Sequence, residues 1–261
     1  MVEFKYVPNP DLAPYLKRSY YMIFSEKRIF KTSLLLLAAV NLVTFAVYHL
    51  TTVIIGGTAC AYVFFYFNET VDFILPLVAA AALLAGYEAR GSAHALLRAV
   101  PYSLTTVLFK FPYHAFDYAY QGIEIDGVLL FSALNTILGV AVAYIQITVL
   151  YLLTRLVAER SSKSKGQPYS APLFVITKPL GLDAPINKGI LASAAATFIY
   201  KLVFEIIDTV KFLINYRLSY QLSEIAYMTF RYFFLLSLAF GAYILTVLVK
   251  NGLLKACRSE E

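Results

Sequence analysis

Long runs of apolar residues separated by short polar turns dominate the chain from about residue 32 to residue 249. No lysine or arginine falls between residues 33 and 87. That stretch has room for two spans of about 20–25 residues with a turn between them, and Gly56-Gly57 is the natural breaker. Apolar runs then predict spans at about 32–54, 58–88, 100–121, 127–158, 189–214 and 222–249. Between the fourth and fifth lies the one long polar connection, 159–188, with Ser161-Ser-Lys-Ser-Lys-Gly166 and four prolines. It reads as an ordered loop or a small lid, being too short for a domain. Residues 11–31 read as an amphipathic lead. Leu12, Tyr15, Leu16, Tyr20 and Ile23 fall on one side, and Lys17, Arg18, Lys27 and Arg28 supply positive charge. It is either a helix lying on an anionic membrane surface or a polar segment docked on the bundle. Residues 251–261 form a short tail.

The fold this predicts is all-α: a polytopic bundle of six transmembrane helices built from three outward-pointing hairpins. Composition agrees. Hydrophobic residues are 60% and charged residues 15% of 261, where a soluble domain carries roughly 25% charged. The two cysteines, Cys60 and Cys257, have neither metal-site spacing nor a disulfide framework. The first 30 residues are charged throughout and lack the short apolar core of a cleavable signal, so the first span is expected to act as an uncleaved anchor.

Charge placement orients the bundle. Seventeen of the 22 basic residues lie in the N-terminal lead, the loops after spans two and four, the tail, or the adjoining helix ends. By the positive-inside rule both termini are cytoplasmic. Lys211, Arg217 and Arg231 fit this scheme less cleanly. The outward half carries eight acids (Glu69, Asp72, Asp117, Glu124, Asp126, Glu205, Asp208, Glu224). Such a mouth concentrates cations, although the same asymmetry follows from topology alone.

One polar pattern recurs inside the apolar runs. Leu108-Phe-Lys-Phe-Pro-Tyr-His-Ala-Phe-Asp117 is echoed 91 residues later by Ile199-Tyr-Lys-Leu-Val-Phe-Glu-Ile-Ile-Asp208. Lys110, His114 and Asp117, and likewise Lys201, Glu205 and Asp208, fall on one helical face each, because seven residues make two turns. Span four ends Tyr151-Leu-Leu-Thr-Arg-Leu-Val157 and span six ends Tyr243-Ile-Leu-Thr-Val-Leu-Val249, an offset of 92. The second and third hairpins therefore read as diverged internal repeats. The first hairpin aligns only at an offset of 70 and has Val40 and Val47 where the others carry Lys and Asp. Glu224 and Arg231 repeat the seven-residue spacing in span six with the signs reversed.

A charge in mid-membrane is expensive, so it marks a pathway or a buried pair. As a pathway, the two faces suit a small transporter or channel-like module for a cation or small polar solute, with His114 or Glu205 as a relay. As pairs, Lys110 with Asp208 and Lys201 with Asp117 or Glu205 would hold helices in register, which suits a structural or assembly subunit of a membrane complex. A glutamate four residues after Lys201 offers it a partner within its own helix. Lys110 has only His114 there, so its acid is expected from Asp208, Glu205, Glu69 or Asp72. Glu69 and Asp72 otherwise read as residues at the outer interface or a secondary cation site, and Asn68-Glu69-Thr70 matches a glycosylation acceptor that arises readily by chance. Asn41, Asn135 and Gln146 read as helix–helix hydrogen-bonding residues.

An intramembrane enzyme using Asp117 and Asp208 as a dyad is a distant third reading, since lysines on the same faces hold both carboxylates ionised. No metalloprotease pair, nucleophile elbow or phosphate loop is present, so no enzyme, cofactor or metal is expected. The partners this allows are membrane lipids, further copies of the chain or other membrane subunits. Basic loops flank spans, and nucleic acid is not implied.

Overall fold

The computed structural model describes residues 12–51, 58–87, 92–107, 110–120, 122–164, 176–215 and 222–258. Expectations for Gly56-Gly57, for residues 165–175 of the long connection and for the side chains of 11–28 lie outside the described residues. Every regular element described is helical, with a π turn at 49–51 following the first α-helix. In chain order they are α1 (Leu12–Tyr48), α2 (Thr58–Tyr87), α3 (Ser92–Val107), α4 (Lys110–Tyr120), α5 (Ile125–Ser164), α6 (Pro185–Asn215) and α7 (Leu222–Arg258). Five described stretches are long and apolar enough to cross a membrane: Ile29–Thr51, Tyr66–Leu84, Ile125–Ser164, Pro185–Lys211 and Tyr227–Lys255.

Over the expected third span, 100–121, helix is described on both sides of residues 108–109, as α3 to Val107 and as α4 from Lys110; those two residues lie outside the described ones. Both α3 and α4 pack along α5.

α2 is the centre of the bundle. It packs against α1, α3, α5, α6 and α7. Two-thirds of its span is buried (67%), against 17% for α1 and α5 and 22% for α6. Its sequence explains this. Ala79, Ala80, Ala81 and Ala82 are all buried, and small side chains let neighbouring backbones approach from several directions at once. Phe73, Leu77, Leu83 and Leu84 fill the remaining space.

Small residues also set the α5–α6 contact. Gly189, Ser193 and Thr197 recur every fourth residue of α6 and line one face. A Cβ at Gly189 would come within 2.3 Å of the Thr154 carbonyl oxygen of α5. Where the backbones meet this closely, the Thr154 and Ser193 hydroxyls share a 2.6 Å hydrogen bond, and Ser193 Oγ also lies 3.1 Å from the Leu150 carbonyl oxygen. α1 is tied to α3 in the same way: Ser33 Oγ and Tyr102 OH are 2.5 Å apart, and Asn41 Nδ2 donates to the Thr105 carbonyl at 3.1 Å.

The described end of the long connection is locked down. Asn251 grips Thr177 with two bonds, accepting from its N–H at 3.2 Å and donating to its carbonyl at 2.6 Å. Lys250 Nζ donates to Thr177 Oγ1, and Asn187 Nδ2 donates to the carbonyls of Lys178 and Gly181. Tyr243 OH donates to the Pro179 carbonyl. None of these residues stands out in the sequence as part of a clamp; a run of polar residues at both helix ends facing a Pro-rich loop was the available signal.

Much of the described surface is apolar. α5, 40 residues long and so about 60 Å, exceeds a hydrocarbon core of about 30 Å. Its protruding end carries the Glu159–Lys163 pair, 2.9 Å apart. Its flank exposes Leu134, Ile137, Leu138, Ile145 and Val149, a patch that a soluble monomer does not leave bare. The chain is a helical bundle suited to a membrane.

Candidate functional site

The recurrent lysines both end on the same helix. Lys110 Nζ, on the first residue of α4, donates to Asp72 Oδ1 of α2 at 2.8 Å. Lys201 Nζ of α6 donates to Glu69 Oε1 of α2 at 2.6 Å. Asp72 is the fifteenth of the thirty residues of α2, so both acids sit near the middle of the central helix. They are the compensating charges for the two lysines. Glu69 and Asp72 are three residues apart and share a face, which lets one helix serve two flanking cations. Asn68 Nδ2 lies 3.4 Å from Asp72 Oδ2 on the side away from Lys110.

The partners expected for Lys201 are replaced by another, while Lys110 meets Asp72, one of the four acids expected for it. Lys201 does not pair with Glu205 one turn away; it reaches Glu69, 132 residues distant in sequence. Glu205 instead accepts from Arg231 Nη2 of α7. Lys110 takes its acid from α2 and not from Asp208 or Glu205. The physical reason is geometric: α6 touches both α2 and α7, so residues one turn apart on it meet different neighbours. Asp208 forms a looser, exposed pair with Lys211, 3.5 Å away. His114 stacks on Tyr118 at 6.3 Å between ring centres, and Tyr118 OH accepts from Asn135 of α5. The side chains of Asp117 and Glu224 lie outside the described residues.

Where α6 meets α7 the charged face opens into a cavity of about 250 Å³, lined by Glu205, Asp208, Thr209, Tyr227, Met228, Arg231 and Tyr232. The Thr209 and Tyr232 hydroxyls are 3.0 Å apart across it. Both carboxylates of the lining have a counter-charge, Glu205 in Arg231 and Asp208 in Lys211. Sequence reasoning found Glu205, Asp208 and Arg231 by their spacing. It missed Thr209, Tyr227 and Tyr232, whose polar tips are hidden among the chain's 21 tyrosines. Among the described residues no group of three or more His, Cys, Asp or Glu is placed to hold a metal ion.

Compared with protein-family models, with curated proteins and with solved structures, the chain matches none.

Proposed function

We propose that this membrane protein moves a cation or small polar solute, with the α6–α7 cavity as its polar site. The observation that carries the reading is that cavity, where Glu205, Asp208 and Arg231 converge beside three hydroxyl groups. In this reading α3 and α4 belong to one span, which makes six. The basic-residue distribution then places both termini in the cytoplasm.

Proteoliposomes test the function. With the full chain reconstituted, sodium, potassium and proton gradients reported by trapped dyes should collapse faster than in empty vesicles for at least one ion. Glu205→Gln should slow that collapse at least about tenfold while the helical circular-dichroism signal stays unchanged. Wild-type vesicles as tight as empty ones for all three ions and for a panel of small polar solutes would overturn the proposal.

Topology has its own test. In a chain with Cys60 and Cys257 replaced by serine, single cysteines at Glu124 and Lys165 should react with an impermeant maleimide from opposite sides. Reaction of both from one side would exclude six spans.

Two observations support the internal repeat. Lys110 and Lys201 both meet mid-helix acids of α2. Tyr151 and Tyr243, matched at the offset of 92, are both fully buried, as are Thr154 and Thr246. A second function, as a structural or assembly subunit, is favoured by the closed state of the two lysine pairs. Its sign would be a stoichiometric membrane partner retained on purification together with absent flux.

A further inference from the structure

A second concavity lies on the outer flank of α5 and α6, away from the charged cluster. It is a groove of about 310 Å³ whose walls include Ile145 and Val149 of α5 and Ala196 of α6. Ile145, Val149 and Tyr200 are each more than half exposed (61%, 53% and 51%), so the groove opens outward, toward lipid. Three of its residues are polar: Gln146, Thr197 and Tyr200. The Thr197 hydroxyl is satisfied by the Ser193 carbonyl at 3.0 Å. The Gln146 amide and the Tyr200 hydroxyl have no hydrogen-bond partner among the described residues.

Their depth makes this costly. Gln146 is the twenty-second of the 40 residues of α5 and Tyr200 the sixteenth of the 31 of α6, both close to mid-helix. No water is available in the hydrocarbon core, and an amide left without a partner there is penalised. A phospholipid acyl chain fills the apolar part and satisfies neither group. A whole helix is about 10 Å across and does not fit within a concavity of this volume. The size and lining match a small-molecule site, apolar with a few convergent polar groups. Both unsatisfied side chains are donors, through the amide N–H and the phenol O–H.

We infer that the α5–α6 groove binds a membrane-dissolved molecule with an apolar body and a carbonyl or hydroxyl oxygen, held by hydrogen bonds donated by Gln146 and Tyr200. The site is independent of the charged cavity and of the transport reading.

The test uses the full chain in lipid nanodiscs, with carbonyl-labelled methyl nonyl ketone as probe and undecane as its oxygen-free competitor. The expected result is saturable binding above that of empty nanodiscs. Unlabelled ketone should displace the probe about threefold to tenfold better than undecane, the worth of a net hydrogen bond. Gln146→Leu, of similar shape, should erase that preference, and Ala196→Trp should fill the groove and remove saturable binding. The preference within the unaltered chain needs no variant to be read. The inference is overturned by any of four results: no saturable binding, binding that persists in Ala196→Trp, equal displacement by ketone and undecane, or cross-linking that shows a second copy occupying the groove.

Discussion

Lys201→Met is expected to lower the unfolding free energy by about 3–5 kcal/mol, the range for breaking a buried pair from one side. The pair is well shielded, with Lys201 23% and Glu69 19% exposed in their side chains. The loss comes from Glu69, left at mid-helix without its counter-charge, more than from the missing attraction. Lys201→Met with Glu69→Leu should therefore recover most of the stability. SDS titration of the purified chain, followed by circular dichroism, reads all three proteins. Lys110→Met should cost less, because its pair with Asp72 is about one-third exposed on each side (33% and 31%). Lys211→Met is the control: its pair with Asp208 is 69% and 67% exposed, and surface substitutions of this kind stay within about 0.5 kcal/mol. If Lys201→Met were as stable as the unaltered protein, the Lys201 ammonium would be solvated and the pair with Glu69 would contribute nothing.

The second large effect is steric. Gly189→Val should destabilise the protein by about 1–3 kcal/mol or more, the cost of overpacking a close contact. The Cβ site lies 2.3 Å from a backbone oxygen, that of Thr154, and 2.9 Å from the Thr154 methyl, so no rotamer change can make room. Separating α5 from α6 would also stretch the Thr154–Ser193 hydroxyl bond. Gly189→Ala should act in the same direction. Gly241→Ala should have the opposite sign: nothing lies within 4 Å of its Cβ site, and alanine is favoured over glycine in a helix interior by up to about 1 kcal/mol. Equal behaviour of the two alanine variants in the same SDS titration would show that α5 and α6 are not in backbone contact at Gly189.

The charged residues of the candidate site were visible in the sequence because each one breaks an apolar run. Their pairing was not. The nearest acid to Lys201 along the chain is Glu205, yet the acid it meets is Glu69. A one-turn pair on a helix surface is worth only tenths of a kcal/mol, so the packing of α6 against both α2 and α7 decides which partner each side chain meets. Glu69 and Asp72 looked peripheral because no base precedes or follows them nearby; their partners arrive on α4 and α6. The cavity tyrosines carry no periodic signal, since tyrosine is common throughout the chain.

What the sequence determined by itself is that apolar helices fill the chain. This follows because apolar transfer and helical hydrogen bonding are local, summed residue by residue along each run. The helix ends are less legible. α2 at Thr58–Tyr87 and α6 at Pro185–Asn215 lie close to the expected 58–88 and 189–214, whereas α1 is a single helix from Leu12 that takes in the expected lead 11–31, and α5 and α7 run on to Ser164 and Arg258. Only the tertiary structure decided that α2 stands at the centre and that one face of it neutralises two lysines from different helices. Those outcomes depend on which helices touch, and apolar faces that all resemble one another leave that choice to packing shape, small residues and the few charges that must find partners.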